Sequence, residues 1–206
     1  MRRVLVALVA VSVLSWTGNL FAAHSDYGCI NCHAPHRNGA DPLPDGSYGV
    51  PLWNNDQLGG GSNNNLPTFQ LYSSPTFDKL GITISQPDGP SRLCLGCHDG
   101  SYSHITDPDK IFRPEDLAHS HPISFVYDQA LAQNPNTHLK DPTAPDDLLG
   151  GDTIANVLLD SKGKVQCTSC HDVHTSGLGM DMLRLGTLNS DGSVSERDLC
   201  RACHNK

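Results

Sequence analysis

The eight residues Cys167-Thr168-Ser169-Cys170-His171-Asp172-Val173-His174 bring two thiols and two imidazoles together, and the pattern of their first five recurs three more times. The recurrences are Cys29-Ile30-Asn31-Cys32-His33, Cys94-Leu95-Gly96-Cys97-His98 and Cys200-Arg201-Ala202-Cys203-His204. On a helical turn, residues i, i+3 and i+4 share a face. Two sulfurs one turn apart can bond the two vinyl-derived carbons of a single porphyrin, leaving the following histidine beneath the iron. This is the spacing of covalent haem c attachment, with histidine as the proximal ligand. Paired Cys-x-x-Cys with His also suits zinc, and 8 Cys could form a disulfide framework. Neither alternative explains why every second cysteine is followed at once by His. The four motifs use all 8 Cys. The sequence therefore predicts four haem c groups held by Cys29, Cys32, Cys94, Cys97, Cys167, Cys170, Cys200 and Cys203. His33, His98, His171 and His204 are the proximal metal ligands.

Each iron then needs a sixth ligand. Of the 11 His, the four proximal residues leave His24, His36, His104, His119, His121, His138 and His174. Met180 and Met182 are the only methionines after Met1, so histidine must fill most distal positions. That predicts bis-histidine haems of low potential, because methionine is the ligand that raises it. His36 and His174 each follow a proximal histidine by three residues, too close to reach over the same ring. A helical offset of three would aim them at a neighbouring haem and tie the haems into pairs. His121 is the third distal candidate, its backbone constrained by Pro122. For the fourth, His24 is preferred, then His119, then His104.

The N-terminus bears on where this chemistry takes place. Arg2 and Arg3 precede an apolar run from Val4 to Leu14, and Ala22 and Ala23 offer a cleavage site. The run is short for a membrane span, so residues 1–23 read as a signal peptide and 24–206 as a tetrahaem domain with no membrane anchor. Export places the protein outside the cell or at its surface, with the periplasm as the alternative. The net charge of −8 makes nucleic acid and anionic lipid poor partners.

Little in the composition supports an ordinary core. The chain is 37% hydrophobic, with 19 Gly and 14 Pro, so buried porphyrins would have to replace aliphatic packing. The expected fold is mostly irregular backbone wrapped on haem, with short helices at the CxxCH motifs and a small β-hairpin. Ile154 to Leu159, a turn at Asp160-Ser161-Lys162-Gly163 and Lys164-Val165-Gln166 read as that hairpin. Ser91 or Ser195 would cap the helices of the second and fourth motifs. Pro114-Glu115-Asp116-Leu117-Ala118 fits a helical turn, and Gly39 to Gly61 reads as loop. Trp53, Tyr48 and Tyr72 are candidates to pack on porphyrin edges. The four motifs form a loose twofold repeat, each half a CxxCHxxH followed by a CxxCH.

Several pieces between the motifs narrow the comparison. The order CxxCHxxH, Pro51-Leu52-Trp53-Asn54, Leu71-Tyr72-Ser73-Ser74, Leu93-Cys94-Leu95-Gly96-Cys97-His98-Asp99-Gly100 and Ser120-His121-Pro122-Ile123-Ser124-Phe125 resembles the doubled-CxxCH multihaem cytochromes. Within them it looks most like the tetrahaem extracellular cytochromes of metal-reducing bacteria that polymerise into conductive filaments. That resemblance implies closely stacked bis-histidine haems and an axial histidine donated across the subunit junction. The donor maps to His36, with His24 as the other N-terminal candidate.

Three functions stay open on the sequence. One is a polymerising subunit that passes electrons to other cytochromes or extracellular acceptors. A monomeric periplasmic or secreted shuttle is the second. The third is a small multihaem reductase, which would need one iron without a distal ligand and a polar pocket beside it. Seven spare histidines for four irons argue against an enzyme.

Overall fold

The computed structural model describes residues 24, 33, 67–175, 182–188 and 194–205. Residues 1–23, Cys29, Cys32, His36, the segment Gly39 to Gly61 with Tyr48 and Trp53, and Met180 lie outside the described residues. Short elements joined by irregular chain make up the rest. In order they are α1 (Gly89–His98), β1 (Phe125–Val126), α2 (Gln129–Gln133), α3 (Ile154–Val157), β2 (Lys164–Val165), α4 (Cys167–Cys170), β3 (Thr187–Leu188), β4 (Val194–Ser195) and α5 (Arg197–Cys203). Single 3₁₀ turns stand at Asp78–Leu80, Pro108–Lys110, Asp116–Ala118 and Asp147–Leu149. Two separate two-stranded antiparallel sheets pair β1 with β2 and β3 with β4.

The expected hairpin is not formed. Ile154–Val157 is helical because Thr153 caps it, its side-chain oxygen accepting from the Asn156 N–H at 3.2 Å. Ile154 and Leu158, four apart, then face the same core. β2 pairs with β1 instead, Phe125 opposite Val165 and Val126 opposite Lys164. The turn is real but joins helix to strand: Asp160 Oδ1 accepts from the N–H groups of Lys162 and Lys164 at 2.8 and 2.9 Å, and Gly163 supplies φ +70°. The caps also differ from expectation. Asp88 precedes α1 and Glu196 precedes α5, while Ser91 is fully buried inside α1 and Ser195 lies in β4. Tyr72 packs edge-on against Phe77, which meets Phe125 in the same way.

Two apolar clusters hold the described chain together. The larger joins Phe125, Tyr127 and Leu131 to Ile154, Leu158, Val165 and Ala202. It thereby anchors α5, the helix of the fourth motif. The smaller joins Leu95 of α1 to Phe69 and Leu117, with Phe112 and Ile123 against it. Both clusters thus pack directly against motif helices.

Tyr127 links the larger cluster to the fourth motif. Its hydroxyl donates to the Lys140 carbonyl at 2.6 Å and approaches that of Cys203 at 3.3 Å. Burial, then the neighbouring Cys203 and Asp141, push the phenol well above its usual range. A raised folded pKa means its stabilisation is complete below about pH 10 and is lost as pH rises through the folded value. Tyr127→Phe should therefore lose about 1 kcal/mol at neutral pH, the worth of a buried hydrogen bond. Its stability should also fall less steeply than wild type above about pH 10, which denaturant titrations at a series of pH values would read.

Candidate functional site

His98, His171 and His204 each stand at the end of a short helix and are held by a segment from elsewhere in the chain. α1 ends at His98 because Asp99 closes it, donating its N–H to the Leu95 carbonyl at 3.0 Å, and Gly100 then turns the chain at φ +88°. The segment after the Pro108–Lys110 turn lies against that end. The Phe112 N–H donates to the His98 carbonyl at 2.6 Å, and the His98 Nδ1 lies 2.7 Å from the Lys110 carbonyl oxygen. A carbonyl can only accept, so Nδ1 carries a proton and Nε2 is the nitrogen left for another partner. This is the outer support that metal-bound histidines use.

The third motif is held from both sides. The Gln166 N–H donates to Ser169 Oγ at 2.8 Å, capping α4. At the other end, Arg184 Nε donates to the Thr168 carbonyl at 2.7 Å, where a cation suits the helix C-terminus. His171 is not helical; it is the C-cap with φ −110° and ψ 138° and pairs as a β-bridge with Leu183. The expected helical offset between His171 and His174 is therefore absent. His174 is placed instead by an Asx turn, its N–H donating to Asp172 Oδ1 at 2.9 Å.

In the fourth motif, α5 ends at His204, also extended with φ −105° and ψ 133°. His204 bridges to Leu139, the Lys140 N–H donates to the Cys203 carbonyl at 2.9 Å, and the Asn205 N–H donates to the His138 carbonyl at 2.8 Å. A strand-like pairing of residues 138–140 with 203–205 therefore fixes the imidazole.

The histidine rings form cross-chain pairs. His24 lies 6.0 Å from His98, His174 lies 6.1 Å from His33, and His121 lies 6.4 Å from His204, measured between ring centroids. Every pair joins a histidine that follows a CxxC to one that does not. A metal–imidazole bond is about 2 Å and the ring centre lies about 1 Å beyond the nitrogen, so two imidazoles on opposite sides of one ion have centroids about 6 Å apart. All three pairs fit that spacing.

Two of the outer histidines are also supported at Nδ1. His121 Nδ1 lies 2.9 Å from the Pro122 carbonyl oxygen, and His24 Nδ1 lies 3.2 Å from Met182 Sδ. Burial, then the neighbouring His98, hold His24 below the usual histidine range, which favours the neutral form a metal accepts. Met182 thus meets a histidine ring. His104 lies 5.0 Å from Tyr102 between ring centroids, the two rings tilted, and His104, His119, His121 and His138 are all exposed.

The cysteines lie beside these pairs. None of the six described thiols is in a disulfide. α1 packs on α4, and the Cys167 thiol shares a hydrogen bond with Cys94 that lowers it to about 7. Burial raises Cys170 to about 11 and Cys203 to about 12, with the neighbouring Cys170 adding to the rise at Cys203. The groups present are paired CxxC thiols, which can bond a porphyrin's vinyl-derived carbons, and imidazole pairs at 6.0–6.4 Å, which can ligate an iron. That set fits haem c, whose porphyrin supplies four equatorial nitrogens. It does not fit tetrahedral zinc: among the described residues, no three of His, Cys, Asp or Glu converge as a metal site.

The chain is similar to a polyhaem c-type cytochrome. The C-type polyheme cytochrome OmcB of Geobacter sulfurreducens, in two strains, is 25% identical to it over 143 residues, which cover 60% of this chain. The chain spans only 18% of the length of these curated relatives. No family model and no solved structure matches it.

Sequence reasoning singled out His24, His121 and His174, and separately His98, His204 and His33, but not which meets which across 74 to 141 residues. It missed Asp172, Arg184 and Gln166. The Gln166-x-x-Ser169 spacing, a capping pattern just ahead of a CxxC, was the available signal for the last.

Proposed function

We propose that this protein transfers electrons through four bis-histidine haem c groups, as the polymerising subunit of an extracellular filament. The three ring pairs at 6.0–6.4 Å carry the reading, and the likeness to a polyhaem cytochrome supports it. When bound, haem iron cycles between ferric and ferrous and passes on one electron at a time. The protein's part would be to supply the histidines that hold each iron. His98 with His24, His33 with His174 and His204 with His121 would occupy both axial positions of three irons. An iron so held offers no place for substrate, which favours electron transfer over reductase chemistry.

His171 and His36 would serve the remaining iron. The first and third motifs are both CxxCHxxH, and His174 of the third meets the ring of the first. The same arrangement in the other direction sends His36 to an iron of the third motif. In the filament reading, that iron belongs to the next subunit, so a coordination bond links the copies. A second reading rests on the His33–His174 pair lying within one chain: His36 would close on His171 of its own chain, giving a self-contained shuttle. Among the described residues, no helix is long and apolar enough to cross a membrane.

His36→Ala separates the two readings. In the filament, the variant should keep four covalent haems yet form no polymers under the electron microscope. Filaments that persist unchanged in His36→Ala would overturn the bridging role. Dispersed wild-type particles at all concentrations would favour the shuttle.

A further inference from the structure

Gln166 stands immediately before Cys167, and its side chain has no exposure to solvent. A buried amide must place two lone pairs and two N–H groups, and here all four are used. Gln166 Oε1 accepts from the hydroxyls of Ser91 and Ser124 at 2.5 and 3.2 Å. Its Nε2 donates to Asp88 Oδ1 and Asp160 Oδ2 at 3.0 and 2.9 Å. Two of these partners begin α1: Asp88 precedes it and Ser91 lies in its first turn. Ser91 Oγ in turn accepts the Cys167 N–H at 2.9 Å, so one amide touches the starts of both helices. An ion pair between Lys164 and Asp88 closes the cluster from its edge.

We propose that Gln166 is a positioning residue that sets the spacing between the haems of the second and third motifs, by locking α1 to α4. The inference rests on the haem reading above. Ser91 is three residues before Cys94, and Gln166 is one before Cys167, so the clamp acts one turn from each attachment point. Only an amide can do this. A glutamate accepts but cannot donate, and would face Asp88 and Asp160 as a third carboxylate. A leucine would leave two hydroxyls and two carboxylates short of a buried partner, which is costlier than an apolar site from the start.

Gly89 gives an independent reason to see the cluster as tight. It has φ +48°, and a Cβ there would lie 3.3 Å from Gln166 Nε2 and 3.5 Å from Asp160 Oδ2. A side chain at this position would press on the clamp and meet backbone strain as well.

The test uses haem-loaded protein and the bisignate circular dichroism of the Soret band, which arises from haems held close in fixed orientation. In Gln166→Glu, that couplet should lose roughly half its amplitude, because a supporting shell loosened by half an ångström or more misplaces what it holds. Covalent haem count should stay at four and the spectrum low-spin. Gln166→Glu combined with Asp160→Asn restores a donor–acceptor pair and should recover the couplet. If Gln166→Glu is too unstable to purify, Gly89→Ala tests the same clamp and should also diminish the couplet. A couplet at wild-type amplitude, even with a lowered melting temperature, would show that Gln166 is structural only and overturn the proposal. Wild-type protein with the mass of the bare chain would instead overturn the haem reading itself.

Discussion

His174→Ala should turn one of the four ferric irons high-spin and leave the other three low-spin. His174 meets His33 at 6.1 Å, and the variant takes that imidazole away. The position then falls to water, a weaker-field ligand than imidazole. Attachment should be unaffected, because Cys29, Cys32 and His33 remain. The low-temperature electron paramagnetic resonance spectrum of the oxidised protein reads this directly, with about a quarter of the iron moving to a high-spin signal. His121→Ala should act alike on the iron of the fourth motif, since His121 lies 6.4 Å from His204. His104→Ala should leave the spectrum unchanged, because that ring lies against Tyr102. A His174→Ala protein that stays wholly low-spin would remove His174 from the axial set.

The second large effect concerns folding. Replacing all eight motif cysteines by serine should abolish cooperative unfolding altogether. The described apolar clusters centre on a handful of residues, from Phe125 to Ala202 in one and on Phe69, Leu95 and Leu117 in the other. Clusters of that size cannot offset the entropy of ordering so much irregular chain. Four covalently fixed porphyrins, three of them beside α1, α4 and α5, would supply the missing apolar surface. Folding should then be coupled to the cofactor, as in small metal-dependent domains. Thermal melts followed by circular dichroism should show a sharp transition for the haem-loaded protein and none for the cysteine-free chain. A cysteine-free chain that melts sharply with native-like tertiary signals would show that the polypeptide core suffices.

What the sequence makes legible here follows from distance along the chain. A CxxCH is local: its chemistry is contained in five residues, so all four were visible at once. His174 and His121 stood out because His171 and Pro122 mark them within three residues. The ring pairs were not visible, since His33 meets His174 across 141 residues of chain. Local patterning also misled. Ile154 to Leu159 is mostly apolar and followed by a turn, yet Thr153 caps it as a helix and Ile154 and Leu158 face one cluster. The strand Lys164–Val165 found its partner in Phe125–Val126 instead. Ser91 has the composition of a cap but serves as a buried hydroxyl between Gln166 and the Cys167 N–H. A polar cluster assembled from residues 88, 91, 124, 160 and 166 leaves no periodic trace for a sequence to show.

Met182 and Asp172 illustrate the same limit. A methionine among histidines reads as a possible axial ligand or a surface residue. In the structure its sulfur lies against His24 Nδ1, a supporting position that depends on where the N-terminal segment returns. Asp172, placed between two histidines, reads as a spacer but accepts the N–H of His174 and binds the Thr175 hydroxyl at 2.8 Å.

A cryo-electron microscopy map of the purified, haem-loaded protein tests the central claim most directly. It should show four porphyrins per chain, with His24 opposite His98, His174 opposite His33 and His121 opposite His204 across their irons. Any of those three irons bound on its outer face by water or by a different residue would contradict the assignment.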